Sequence, residues 1–278
     1  MGLFSGNKDT KKDGEMSFLG HLNALRWHLV RSAIVVTVLS IVAFFFPEII
    51  FGKILLGPKD PNFFTYTFLC DLSHKWNMGD ALCFPPEGFN YDIISTGLTE
   101  QFTLAMWGSL VAGLIVAFPY ILWELWRFIS PALKEKERSN ARGFIAYATA
   151  LFLTGVAFGY YIVTPMAVYF LGNYKVDPNV KIMPTFDSYI SLVTTLVLLM
   201  GLVFELPIIM FFLAKLGIVT RKFLRKNRRY ALVLILIVAA VITPTTDIFT
   251  QMLVAVPLWL LFEASIIVVW RVEKKLAV

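Results

Sequence analysis

Residues 188–215 read SYISLVTTLVLLMGLVFELPIIMFFLAK, and between Asp187 and Lys215 the only charged side chain is Glu205. As a helix, such a block is long enough to cross a hydrocarbon layer ~30 Å thick. Similar blocks recur along the chain and place helices at about 29–50, 101–128, 142–164, 188–213, 228–243 and 249–270. The bulk composition agrees. The 278 residues are 58% hydrophobic and 16% charged, with mean hydropathy +0.70. Soluble domains carry about a quarter charged residues, and one soluble core of this length could not hide so much apolar surface. The expected fold is an all-α integral membrane protein with one six-span domain over 29–270. A polar segment, 1–28, precedes it and a short tail, 271–278, follows.

The charges between the blocks set the orientation. One side collects Lys8, Lys11, Lys12, Arg26 and Arg31; Arg127, Lys134, Lys136, Arg138 and Arg142; Lys215 to Arg229; and Arg271, Lys274 and Lys275. The other side holds only Lys53, Lys59, Lys75, Lys175 and Lys181. Basic loops stay in the cytoplasm, so both termini are expected inside. The net charge of +6 is explained by this bias and does not argue for nucleic acid. The first 28 residues lack an apolar stretch followed by a small-residue cleavage site, so insertion by the chain's own spans is expected.

Three local features matter. The outer loop, about 51–100, holds Cys70 and Cys83; they stay free thiols or pair, and pairing would stabilise the fold by roughly 3 kcal/mol. The fifth span is short, ~24 Å of helix from Arg228 to Thr243, so its outer end should lie below the surface. Pro119, Pro165, Pro207 and Pro257 interrupt spans, which suits a curved, open, cup-like wall better than a tight bundle.

Catalysis finds no constellation: His21, His28 and His74 show no metal-ligand spacing, and no phosphate loop or nucleophile elbow occurs. A metal site, a cofactor and an enzyme activity are therefore not expected. The informative residues are carboxylates inside the bilayer. Glu205 lies ~15 Å from the inner end of its helix and Glu263 ~12 Å. No Lys or Arg lies deep in any span, so both carboxylates read as lacking an internal partner. Each must be protonated, hydrated, bonded to a neighbouring helix or matched by another chain. Gln251, with Thr250 and Asp247, forms a second polar group; Asp247 sits at an N-cap position, which leaves Gln251 unexplained. Phe18, Leu22, Leu25 and Leu29 share one face of a helix expected to lie along the inner surface before turning into the first span. Lys134-Glu135-Lys136-Glu137-Arg138 reads as a solvated helix end.

Five stretches in this order resemble the TatC family, the multi-spanning receptor subunit of twin-arginine protein translocases. They are His21-Leu22-x-x-Leu25-Arg26; Trp126 to Leu133 with Glu137-Arg138; Phe204-Glu205-Leu206-Pro207; Thr243-Pro244 through Asp247-x-Phe249-x-Gln251; and Pro257 to Phe262-Glu263. The resemblance implies a non-enzymatic receptor in a bacterial inner membrane. It would capture twin-arginine signal peptides of folded cargo for export driven by the proton-motive force. The signal site would comprise Glu137, Glu135, Arg138, His21, Arg26 and Phe128, because paired guanidinium groups favour bidentate carboxylates. Where the family carries a second acidic contact this chain has Ala24, so either Glu137 and Glu135 do more of the work or signal binding is weak. Implied partners are TatA- and TatB-like single-span proteins at Glu205, Gln251, Glu263 and Asp247, membrane lipids, and other copies of the chain.

A second reading is an ion-coupled secondary transporter using Glu205 and Glu263 as proton carriers; it predicts inverted repeats, and none is visible. The orientation is directly testable. With Cys70 and Cys83 changed to Ser, a K175C variant should label with an impermeant maleimide from outside intact cells. K222C should label only once the membrane is opened; the reverse pattern refutes the topology.

Overall fold

The structure, a computed structural model, describes residues 18–77, 79–80, 83–84, 92–130, 141–175, 177, 179, 182–243 and 248–276, with backbone alone at 18–22, 141–142, 249 and 275–276. Among these residues the regular elements are helical, and the one extended pairing is an isolated bridge between Ile94 and Thr185. Helix α1 spans Phe18–Phe44, α2 Phe64–Lys75 and α3 Glu100–Ile129. Helix α4, Ala141–Phe158, passes through a π turn at Gly159–Val163 into α5, Thr164–Asn173. Then come α6 Phe186–Phe204, α7 Leu206–Lys215, α8 Arg221–Lys226, α9 Arg228–Ile242 and α10 Ile248–Leu276.

Among the described residues five helical stretches are long and apolar enough to cross a membrane: Asn23–Phe44, Glu100–Ile129, Gly143–Asn173, Phe186–Lys215 and Thr250–Lys274. Helix α9 has only 15 residues, ~22 Å, and falls short of that standard on its own. The surface helix expected before the first span is not separate. Helix α1 runs unbroken from Phe18 to Phe44, because after Gly20 in its first turn the segment holds no glycine or proline to end it. The helix expected to end near residue 164 continues past Pro165 to Asn173.

Proline removes a backbone donor and frees the carbonyl four residues earlier. For Pro165 that carbonyl belongs to Tyr161, and it accepts a hydrogen bond from Thr65 Oγ1 on α2. The Tyr66 hydroxyl, next along α2, donates to the carbonyls of Pro58 at 2.8 Å and Pro165 at 3.0 Å. The loop between α1 and α3 thus returns to satisfy the kink made by Pro165. Pro207 breaks α6 from α7: the Glu205 N–H turns back to Leu202 O at 3.1 Å, and the Glu205 carbonyl accepts from both Ile208 and Ile209. Glu100, at the start of α3, accepts from the N–H groups of Thr96 and Gly97 through Oε2. Through Oε1 it accepts from the Asp187 N–H, tying the N-terminal ends of α3 and α6 together.

Four apolar clusters lie inside among the described residues, the smallest around Tyr66 and Met166. One joins α6, α7, α9 and α10 through Met200, Phe204, Ala214, Ala239, Val254 and Leu258. A second packs Leu104 of α3 against Ile190 and Val193 of α6, with Ile50 and Leu55 of the π turn at Glu48–Leu55. A third joins α3, α4 and α7 through Phe118, Leu122, Phe152 and Ile208. Close approach of α4 to α6 depends on Gly155, where an added Cβ would fall 2.6 Å from Met200 O and 2.7 Å from Phe204 Cβ. Gly155→Ala must therefore displace backbone and should cost ~1–3 kcal/mol, read as a lowered thermal midpoint in detergent. Gly143→Ala, which meets nothing within 4 Å, should leave that midpoint unchanged or slightly raised.

Candidate functional site

The break at Pro207 sets the position of Glu205. It is the last turn of α6 and the first of α7 at once, with φ −75° and ψ −5°, and its side chain leaves the helix at the bend. The residue is 7% exposed. Among the described residues no donor reaches its buried Oε1. An unsatisfied carboxyl oxygen in such surroundings costs on the order of 1–3 kcal/mol, more if ionised.

The other two membrane polar groups do have partners within the chain, which corrects the expectation that they lack them. Arg228 donates to Glu263 Oε2 at 2.6 Å. Gln251 Nε2 donates to Leu236 O at 3.2 Å. Both follow from α9 lying beside α10: the start of α9 meets the later part of α10, and residues 236 and 251 meet near the other end. Arg228 occupies the first position of α9, at the edge of the apolar block, and its long stem carries the guanidinium to Glu263. Asp247 lies outside the described residues.

A buried ion network at the end of α3 has no counterpart among the residues read from sequence. Glu124 is 1% exposed. Its Oε2 accepts from His28 Nδ1 on α1, and its Oε1 accepts from the Tyr120 hydroxyl at 3.0 Å and from Arg127 at 3.4 Å. Burying a carboxylate requires such partners, and here they bolt α1 to α3 one turn before α3 ends. Phe128 sets its ring edge-on to His28 at 6.1 Å, and Arg127 lies over the Trp123 ring at 4.8 Å. The i,i+4 spacing of Tyr120 and Glu124 and the i,i+3 spacing of Glu124 and Arg127 were available in the sequence. The decisive partner, His28, came from another helix.

Of the expected signal-site residues, Arg26 is exposed on α1 and Phe128 is half-buried at the end of α3. His21 lies on α1 with its side chain outside the described residues, as are Glu135, Glu137 and Arg138 altogether. In the loop between α1 and α3, Cys70 and Cys83 are joined by a disulfide, their Cα atoms 4.3 Å apart. His74 Nε2 stands 2.9 Å from Asp80 Oδ1 and 3.7 Å from Cys83 Sγ. The ligand atoms of Cys70, His74 and Cys83 lie within 4.8 Å of one another, but sulfurs bonded to each other offer no thiolate to a metal.

Comparison with known proteins places this helical arrangement. The family model described as Sec-independent protein translocase protein (TatC) matches residues 20–257. The TatC protein of Blattabacterium sp. subsp. Periplaneta americana is 35% identical over 94% of this chain and 97% of its own length. That of Carboxydothermus hydrogenoformans is 33% identical over 95% and 97%. A crystal structure of the twin arginine translocase receptor TatC superimposes with TM-score 0.67 at 32% identity, covering 91% of this chain and 99% of that one. A match over most of the chain in both sequence and structure has one reading: the chain belongs to the TatC family of Sec-independent protein translocase proteins.

Proposed function

We propose that the protein is the signal-receptor core of a twin-arginine translocase in a bacterial inner membrane. It crosses the membrane six times with both termini in the cytoplasm, and α9 is the short fifth crossing. The observation that carries this reading is Glu205. A buried carboxyl oxygen at a helix break, reached by no donor among the described residues, is an acceptor left for another polypeptide. Membrane helices pair most readily through such polar contacts. TatA- or TatB-like single-span helices are the proposed partners, with Gln251 and Asp247 near the outer end of α10 extending the contact. The pair Glu263–Arg228 locks α9 to α10, so Glu263 supports this surface and does not touch the partner.

At the inner face, Glu137 and Glu135 are the proposed ligands of the paired signal-peptide arginines, with Arg138, His21, Arg26 and Phe128 around them. The Glu124–His28 network supports this arrangement because α3 leads directly into the segment 131–140, and a fixed helix end gives that segment a fixed origin. An open, cup-like wall, the shape proposed from Pro119, Pro165, Pro207 and Pro257, suits a receptor that admits partner helices. The transporter alternative loses its second free carboxylate, since Glu263 is held by Arg228.

Two experiments test the reading. Copurification of a TatA- or TatB-like single-span protein from membrane extract should fall about 5–30-fold in Glu205→Ala, the equivalent of ~1–2 kcal/mol for an interhelical hydrogen bond; undiminished recovery refutes the role of Glu205. Photocrosslinking from position 134, with Glu135 and Glu137 intact, should capture a twin-arginine signal peptide and lose it by about ten-fold or more when both arginines become lysine. That loss follows because Lys cannot form the bidentate pair.

A further inference from the structure

From Leu206 to Thr246 the chain has seven Lys and Arg residues and no Asp or Glu. Two of the seven are engaged by α10. Arg228 pairs with Glu263 at 2.6 Å, and Arg221 lies over Trp270 at 5.0 Å while its backbone N–H donates to Glu273 Oε1 at 2.8 Å. Lys222, Arg225, Lys226 and Arg229 remain exposed. The first three sit at i, i+3 and i+4 on α8, which puts them on one face.

The apolar residues around them are exposed as well. Leu216 is 71% exposed, Ile218 66% and Phe223 57%, in the same short connection between α7 and α9. The connection is held in place: Thr220 Oγ1 caps α8 by accepting from Phe223 N at 3.2 Å, and buried Leu224 docks it on the main core. A fixed amphipathic turn that joins two membrane helices, with cations beside outward-facing apolar side chains, matches a lipid interface in both of its layers. Orientation by positive charge requires basic residues in the loop, but not their placement on one face or an exposed apolar row beside them.

We propose that the α7–α9 connection is a binding site for anionic phospholipid. Lys222, Arg225, Lys226 and Arg229 hold the headgroup phosphate, while Leu216, Ile218 and Phe223 enter the acyl-chain region of the same leaflet. Arg228, turned inward to Glu263, is excluded from the site and keeps its structural role.

The test is native mass spectrometry of the full chain purified in detergent and titrated with dioleoylphosphatidylglycerol or dioleoylphosphatidylcholine. Retention of phosphatidylglycerol should exceed that of phosphatidylcholine. K222Q/R225Q/K226Q should weaken phosphatidylglycerol binding by about five-fold per charge removed and leave phosphatidylcholine unchanged. The variant sites are exposed, so an unaltered thermal midpoint verifies an intact fold. The control K53Q/K175Q, on the other loops, should keep the preference. Equal retention of the two lipids by the unmodified chain overturns the proposal, as does a preference that survives the triple change. Tight capture of a polyglutamate peptide without any preference between the lipids also overturns it, in favour of a peptide site.

Discussion

A carbonyl oxygen released by proline within a packed helical wall needs another donor, and this constraint organises the half of the molecule around α2 and α5. Pro165 frees the carbonyl of Tyr161, and the protein answers with Thr65 on α2, reinforced by the Tyr66 hydroxyl on Pro58 and Pro165. The loop between α1 and α3 is thereby part of the membrane domain. Its helix α2 closes a backbone defect that would otherwise cost several kcal/mol in hydrocarbon. The Cys70–Cys83 disulfide joins α2 to the residues that follow it, and Phe84 beside it packs against Tyr66 and against Tyr169 of α5.

The same constraint separates the carboxylates. Glu124 and Glu263 are satisfied by cationic or hydroxyl donors from a neighbouring helix or turn, and they fasten α1 to α3 and α9 to α10. Removing a partner of Glu124, which is 1% exposed, leaves an uncompensated buried charge; the Arg228–Glu263 pair is partly exposed, and both are joints of the scaffold. Glu205 differs because Pro207 places it at a break, where the chain turns and no donor among the described residues reaches Oε1. The contrast between satisfied and unsatisfied carboxylates distinguishes a joint from an open valence.

Much of the architecture was legible beforehand. The apolar blocks yielded the helices around 101–128 and 188–213, and the latter proved to be broken at the proline it contains. The short fifth block became a helix of 15 residues. The separation of a surface helix from α1 failed, because amphipathic spacing over residues 18–29 does not by itself end a helix. Glu205 and Glu263 both read as unpartnered from their depth and from the lack of Lys or Arg within the spans; in the structure Glu205 keeps an oxygen, Oε1, that no donor among the described residues reaches. Glu263 and Gln251 were misjudged, since their partners sit on α9 and proximity between two blocks is not written in either of them. Glu124 was overlooked for the same reason.

Composition and charge by themselves determined that this is a membrane protein and where its helices lie, because transfer of apolar and charged groups between water and hydrocarbon depends on residue type and local run length. They also determined where the helices bend, since proline acts on its own backbone. Only the tertiary structure decided which polar groups are quenched. A hydrogen bond or ion pair in low dielectric is worth several times its value in water, but only at contact distance. Which residues come into contact, Arg228 with Glu263, His28 with Glu124, Thr65 with the Tyr161 carbonyl, is set by how the helices pack.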